Sequence, residues 1–244
     1  MKTTQHQQNL TRRAIVASAV GLISRQGFEG TTMKDIARGA SIGDATIYKY
    51  FPTKEKLVLG YFDQVIGDAL TATHATPGLD NYTLQEKLQR LTDAILEQML
   101  PDRGFVTLVR ALIARSPLLL GDGLAGKQAL GLAVLQFLER AQALGEMEPC
   151  DFKTALGNLY ADYVLGVVAY WLADTSDEFS DTSQLVDLSL EVLVLVLQMG
   201  LVNRVLRLGG FMLRSQLARL LTHGSGVLDA LRMVRSTIPK KAAT

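Results

Sequence analysis

Cysteine is almost absent from this 244-residue chain. Cys150 stands alone, which excludes an intrachain disulfide and a thiolate metal cluster. Histidine is equally sparse. His6, His74 and His223 are scattered, and none has a second histidine or a carboxylate at metal-ligand spacing on a shared helix. No metal or other cofactor is expected. There is no run of about 18 uninterrupted apolar residues, the length a membrane-spanning helix needs. The longest candidate, Leu185 to Val202, is broken by Asp187, Glu191 and Gln198. The first ten residues, MKTTQHQQNL, lack the apolar stretch of a secretion signal, so a cytoplasmic, reduced protein is expected. Strand-type alternation is missing, and so is any internal repeat. Nor do a nucleophile, a base and an acid stand together in a catalytic pattern. No catalytic residue is expected, and an enzyme is the weakest reading.

Net charge is also nearly absent, at +1, but its distribution is lopsided. Residues 1–56 carry nine Lys/Arg against four Asp/Glu, or +5. Residues 57–199 carry eight against nineteen, or −11, and residues 200–244 carry eight against one, or +7. A basic head on an acidic body is the asymmetry expected if one end meets phosphate.

What the chain has in abundance is helical periodicity. Ile15, Ala19, Leu22 and Ile23 share one helical face, and Gly27 is expected to stop that helix. Two short helices follow, Met33 to about Gly39 and about Asp44 to Tyr50, joined by a tight turn. Pro52 ends the second, and Thr53 is a plausible N-cap for a long helix reaching about Thr73. Beyond Pro77, segments 83–100, 103–116, 124–145, 150–173 and 182–206 all read as helices. The fold class is all-α.

The short pair is the informative stretch, because two helices around a tight turn form a helix-turn-helix whose second helix enters the major groove. Ile36, Ala37, Ala40, Ile42 and Ile47 are small or apolar at spacings that let the pair pack. Thr32 can cap the first helix. The exposed face of the second is expected to offer Asp44, Ala45, Thr46, Tyr48, Lys49 and Tyr50.

In these residues the chain resembles the DNA-binding domain of the TetR family of bacterial regulators. The resemblance rests on Thr32, Ile36-Ala37, Ala40, Thr46-Ile47-Tyr48, Tyr50-Phe51, Lys54 and Leu57, with Ala14, Ala19, Gly27-Phe28 and Thr31 before them. It covers roughly residues 10–60. It implies that Thr32, Tyr48 and Lys54 contact phosphates while Gly43 to Lys49 face base edges, the first positioning the protein and the second reading sequence. Three positions depart from the family pattern. Ser41 stands where a glycine is common, Gly43 where a serine often caps the recognition helix, and Asp44-Ala45 where a lysine-glycine pair is frequent.

The resemblance divides the chain into a three-helix DNA-binding domain (1–53), a larger helical effector-binding and dimerisation domain (54–203) and a basic C-terminal extension (204–244). It implies a homodimeric regulator, most simply a repressor, that binds a palindromic double-stranded operator and is released by a small-molecule effector. Phe105, Arg110, Asn158, Tyr160, Tyr163, Tyr170 and Trp171 are candidates to line an effector cavity, although the aromatics read more simply as core and Arg110 as a solvated helix position. Asn158 and Asp162, one turn apart, could reach a ligand or a dimer partner. Segments 150–173 and 182–200 are the expected dimer contact, the second being apolar around most of its circumference.

Two other features remain. Residues 121–128, GDGLAGKQ, mimic a phosphate-binding loop, but no buried strand precedes them and Gln128 replaces the Ser/Thr that would hold magnesium. The tail places Arg204, Arg207, Arg214 and Arg219 on one arc, with Val202, Val205, Leu206, Leu213, Leu217 and Leu220 opposite. Such a helix could lie on an anionic membrane or another protein, which would suit an adaptor, or pack over the acidic body.

Overall fold

The computed structural model describes residues 4–114 and 125–200, with Arg204, Leu208 and Phe211 beyond them. Among the described residues every long regular element is an α-helix: α1 (Gln5–Gly30), α2 (Met33–Gly39), α3 (Asp44–Tyr50), α4 (Lys54–His74), α5 (Leu84–Met99), α6 (Arg103–Ala114), α7 (Ala125–Ala143), α8 (Lys153–Ala173) and α9 (Ser180–Gln198). Side-chain caps set several starts. Thr53 Oγ1 accepts from Lys56 N at 3.2 Å to open α4. Thr83 and Glu86 form a reciprocal capping box at α5, with Thr83 N donating to Glu86 Oε2 at 2.7 Å.

Several helix ends differ from the sequence expectation. Gly27 adopts φ 76° and ψ 167°, which kinks α1 but lets one more turn form before Thr31. The segment expected to run from 182 to 206 starts earlier and breaks sooner. Phe179 and Asp174 bring the chain into α9 at Ser180, and Gly200, at φ 63°, follows Met199 in the left-handed conformation that closes a helix.

The helices share one apolar core. Ile15, Ile23, Ile36, Ile47, Phe51 and Leu57 fill the space among α1 to α4, and the core continues through Tyr61 and Phe105 to Leu88, Leu91 and Trp171. Helix α4 therefore belongs to both regions, packing on α1 at one side and on α5 and α7 at the other. Arg13 on α1 makes a two-pronged ion pair with Asp68 on α4, its Nη1 at 2.9 Å from Oδ2. Helices α7 and α8 cross where Gly131 faces Gly157. A Cβ added to Gly157 would stand 2.5 Å from the Gly131 carbonyl oxygen, so the crossing excludes any side chain there.

Arg103, at the start of α6, closes the far end of the body. Its Nη2 donates to the carbonyls of Trp171 (3.0 Å), Leu172 (3.2 Å) and Asp174 (2.9 Å) at the end of α8. The guanidinium also lies 5.3 Å from the Trp171 ring and 4.9 Å from that of Phe179.

No helix among the described residues is long and apolar enough to cross a membrane. Of the basic tail only Arg204, Leu208 and Phe211 fall within the description, each exposed and helical. The expected amphipathic arc through Arg219 otherwise lies outside the described residues, as do residues 121–124 of the loop that mimics a phosphate site. The rest of that loop forms the first turn of α7, where Gly126 N donates to Asp63 Oδ1 at 2.7 Å and Lys127 pairs with Asp162 at 2.6 Å.

Candidate nucleic-acid interface and ligand cavity

The head is built to hold α3 rigidly on its surface. Ser18 Oγ on α1 donates to the Ile36 carbonyl at 3.0 Å, beneath α2. Gly39 lies directly over Ser18; a Cβ there would approach Ser18 Oγ to 2.3 Å. The turn between α2 and α3 has two hydrogen bonds, Ile42 N to Ala37 O at 3.0 Å and Ser41 N to Arg38 O at 3.1 Å. These are the paired bonds of a Schellman closure, and they put Ser41 at φ 57°. The family's usual glycine suits that conformation; this chain holds it with a serine. Gly43 has ordinary extended dihedrals, and a Cβ there would meet Thr46 Oγ1 at 3.6 Å, so the backbone does not demand glycine.

Ile47 is fully buried and anchors α3 to the core. The opposite face presents Asp44, Ala45, Tyr48 and Lys49 to solvent, and Thr46 is half-buried beside them. Tyr48 is 50% exposed although it is a large aromatic. Tyr50, expected on the same exposed face, is instead half-buried against the core.

Thr32 and Lys54 stand at the ends of elements on this side. Thr32 Oγ1 accepts from Asp35 N at 3.2 Å and donates to Asp35 Oδ2 at 2.6 Å, a complete capping box. That donated bond holds the Asp35 carboxyl below the ordinary carboxylate range. Lys54 is half-buried. Its ammonium donates to the carbonyls of Phe28 and of Thr31, the latter at 2.8 Å, and lies 4.1 Å from the Phe28 ring centroid. An ammonium has three protons, so one remains for a phosphate.

A cavity of about 280 Å³ lies among α5, α7, α8 and α9. Leu88, Val134, Leu138, Leu156, Leu190 and Leu193 form much of its wall, with Tyr160, Tyr163 and Ser189 supplying the hydroxyls. Of the residues proposed from sequence, Tyr160 and Tyr163 line it. Phe105 and Trp171 do not: Phe105 is buried edge-on against Tyr61, with centroids 4.9 Å apart, and Trp171 is buried beneath Arg103. Arg110, Asn158, Asp162 and Tyr170 are exposed and also stand apart from the cavity. The other nine lining residues, Ser189 among them, were missed by sequence reasoning. The available signal was Ser189, a hydroxyl set between Leu188 and Leu190.

Helices α8 and α9 leave a long apolar stripe in solvent. On α9 it consists of Leu185, Leu188, Val192, Leu195 and Met199, at alternating spacings of three and four, and on α8 Leu159 and Leu165 are exposed as well. Val192 is 60% exposed, so nothing among the described residues covers this face.

Two family models match the chain. The model described as bacterial regulatory proteins, tetR family, covers residues 15–61, and the tetracyclin repressor-like C-terminal domain covers residues 87–212. The HTH-type transcriptional repressor KstR of Rhodococcus jostii is 23% identical over 187 residues, which span 77% of this chain and 84% of the relative. A TetR-family regulator from Rhodococcus sp. superposes with a TM-score of 0.59 at 18% identity, covering 75% of this chain and 98% of that one. Salmonella enterica GusR gives a TM-score of 0.57 at 21% identity, covering 82% and 100% respectively. These two likenesses carry the fold.

Proposed function

The chain belongs to the TetR family of bacterial regulatory proteins, and from that premise we propose a homodimeric repressor that an effector releases from a palindromic operator. The observation that carries the reading is the solvent-facing side of α3, where Tyr48 and Lys49 project beside Ala45 and Asp44 with Ile47 anchoring the helix from behind. In the proposed complex Gly43 to Thr46 and Lys49 face base edges, and Thr32, Tyr48 and the free proton of Lys54 meet phosphates. Asp44 repels phosphate but can accept from a cytosine amino group, which would give this chain an operator unlike those read through a lysine at that place. Repression rather than activation is supported by the naming of KstR as a repressor.

The α8–α9 stripe supports a two-fold interface of four helices, two from each subunit. Such a dimer sets two α3 helices about 34 Å apart to read two half-sites. Helix α4 carries the signal, since it starts at Lys54 beneath the head and is tied to the body through Asp63 at the α7 N-terminus. An effector shifts the separation of the heads by binding the two conformations with different affinity.

Selection of bound fragments from random DNA tests this. An enriched palindrome is expected, lost with Tyr48→Ala and with Lys49→Ala. Absence of any enriched palindrome, or undiminished binding by both variants, overturns the reading.

A further inference from the structure

We propose that the cavity takes a neutral, largely hydrocarbon molecule bearing a hydrogen-bond donor, an alcohol rather than a carboxylate or an ester. This rests on the reading of the body as effector-binding and names the ligand class. Ser189 Oγ lies 2.6 Å from the Leu185 carbonyl and 3.1 Å from that of Val186. Carbonyls cannot donate, so the single Ser189 proton is committed to them. The 2.7 Å contact between Tyr163 Oη and Ser189 Oγ therefore needs the tyrosine as donor. Tyr160 also spends its proton on the protein. Its hydroxyl lies 2.7 Å from the Leu88 carbonyl and 2.7 Å from Thr92 Oγ1, which itself lies 3.0 Å from that carbonyl, so whichever hydroxyl takes the carbonyl, the Tyr160 proton goes to Leu88 O or to Thr92 Oγ1.

Each side-chain hydroxyl on the wall has thus spent its proton on the protein. Tyr163 Oη keeps acceptor capacity and no donor. A ligand hydroxyl placed there finds an acceptor, whereas a carbonyl or ether oxygen finds only another acceptor, and the mismatch is severe in an apolar site. A carboxylate fares worse, because none of the lining residues carries a charge. The rest of the wall is aliphatic. An apolar cavity of ~150 Å³ admits benzene, and in the same proportion about 280 Å³ admits about eleven non-hydrogen atoms. Leu159, 59% exposed, stands at the rim of the cavity.

The test is calorimetric titration of the full-length protein with 1-decanol, decyl methyl ether and decanoate. Decanol is expected to bind at least about tenfold more tightly than either analogue, the usual scale for one lost hydrogen bond. Tyr163→Phe should erase the difference between alcohol and ether while leaving hydrocarbon binding. Leu193→Trp, or Leu159→Trp at the rim, should fill the space and weaken all three. Equal or tighter binding of ether or decanoate overturns the proposal, and so does no binding of decanol, or an alcohol preference that survives Tyr163→Phe. Adding operator DNA separates this from the parent reading. Decanol that binds without releasing DNA leaves the ligand class intact and defeats the effector role. Release by some other compound, with decanol inert, does the reverse.

Discussion

The ammonium of Lys54 lies 4.1 Å from the centroid of the Phe28 ring, bridging the start of α4 to the end of α1. It also bonds the Phe28 and Thr31 carbonyls, so this lysine organises the head before any DNA arrives. Lys54→Met keeps the stem and removes the charge. It should cost about 1.5 kcal/mol, the low end for bonds to a charged group at a half-buried site. Amide exchange near residues 28–32 should quicken in DNA-free protein. Unchanged exchange alongside lost DNA affinity would restrict Lys54 to phosphate contact.

Ser41 holds a left-handed conformation at φ 57° in the turn of the helix-turn-helix. For a residue with a Cβ this costs about 1–2 kcal/mol, part of which glycine returns as unfolded-chain entropy. Ser41→Gly should therefore raise stability to urea by about 1 kcal/mol. A loss of stability would mean that the serine hydroxyl makes a compensating bond.

The helices were legible because the signals that start them are local. Thr32, Thr53 and the periodic Ile15, Ala19 and Ile23 act within a turn or two of their own positions. Facing was harder on α3, since seven residues give too few repeats to fix a direction, and Tyr50 turned inward. The cavity was only half legible for a related reason. Tyr160 and Tyr163 share a face of α8, but Trp171, two to three turns further on, is claimed by Arg103 from a distant helix. The grip of Lys54 on Phe28 spans 26 residues and left no mark in local pattern. Partnerships across the chain decide these cases, and spacing does not encode them.

Gly157 and Gly67 should respond oppositely to the same substitution. A Cβ on Gly157 meets the Gly131 backbone at 2.5 Å, and backbone cannot swing aside; one on Gly67 meets nothing within 4 Å. Gly157→Ala should destabilise by about 1–3 kcal/mol through overpacking of the α7–α8 crossing. Gly67→Ala should stabilise by about 0.5–1 kcal/mol, since alanine orders less backbone on entering a helix. Chemical denaturation reads both.

Asp174 links the end of α8 to the start of α9. Its carboxylate accepts from Ser176 Oγ (2.6 Å) and N (2.8 Å), and from Thr182 Oγ1 (2.5 Å) and N (2.9 Å). These bonds, the one from the Ser176 side chain foremost, hold its pKa below the ordinary aspartate value. A carboxyl more acidic in the folded state than in the unfolded one adds stability above about pH 4. That stability is lost as pH falls towards the folded value. Asp174→Asn should lower the melting temperature at pH 7, and the gap from wild type should narrow as pH drops below about 4. A gap independent of pH would show that the charge contributes nothing.

Val192 sits mid-stripe on α9, 60% exposed in the single chain. In a two-fold interface each subunit supplies the same patch, so one substitution acts twice. Val192→Asp would bury two like charges without partners and should weaken dimerisation by at least about a hundredfold. Sedimentation should then show monomer. Palindrome affinity should fall with it, since one head alone reads one half-site, while weak salt-sensitive binding to any DNA should persist through the basic head. Leu108→Asp is the control, because Leu108 on α6 is 51% exposed but lies off the stripe. A Val192→Asp protein that stays dimeric would place the subunit contact elsewhere and remove the basis for spacing the two α3 helices by α8 and α9.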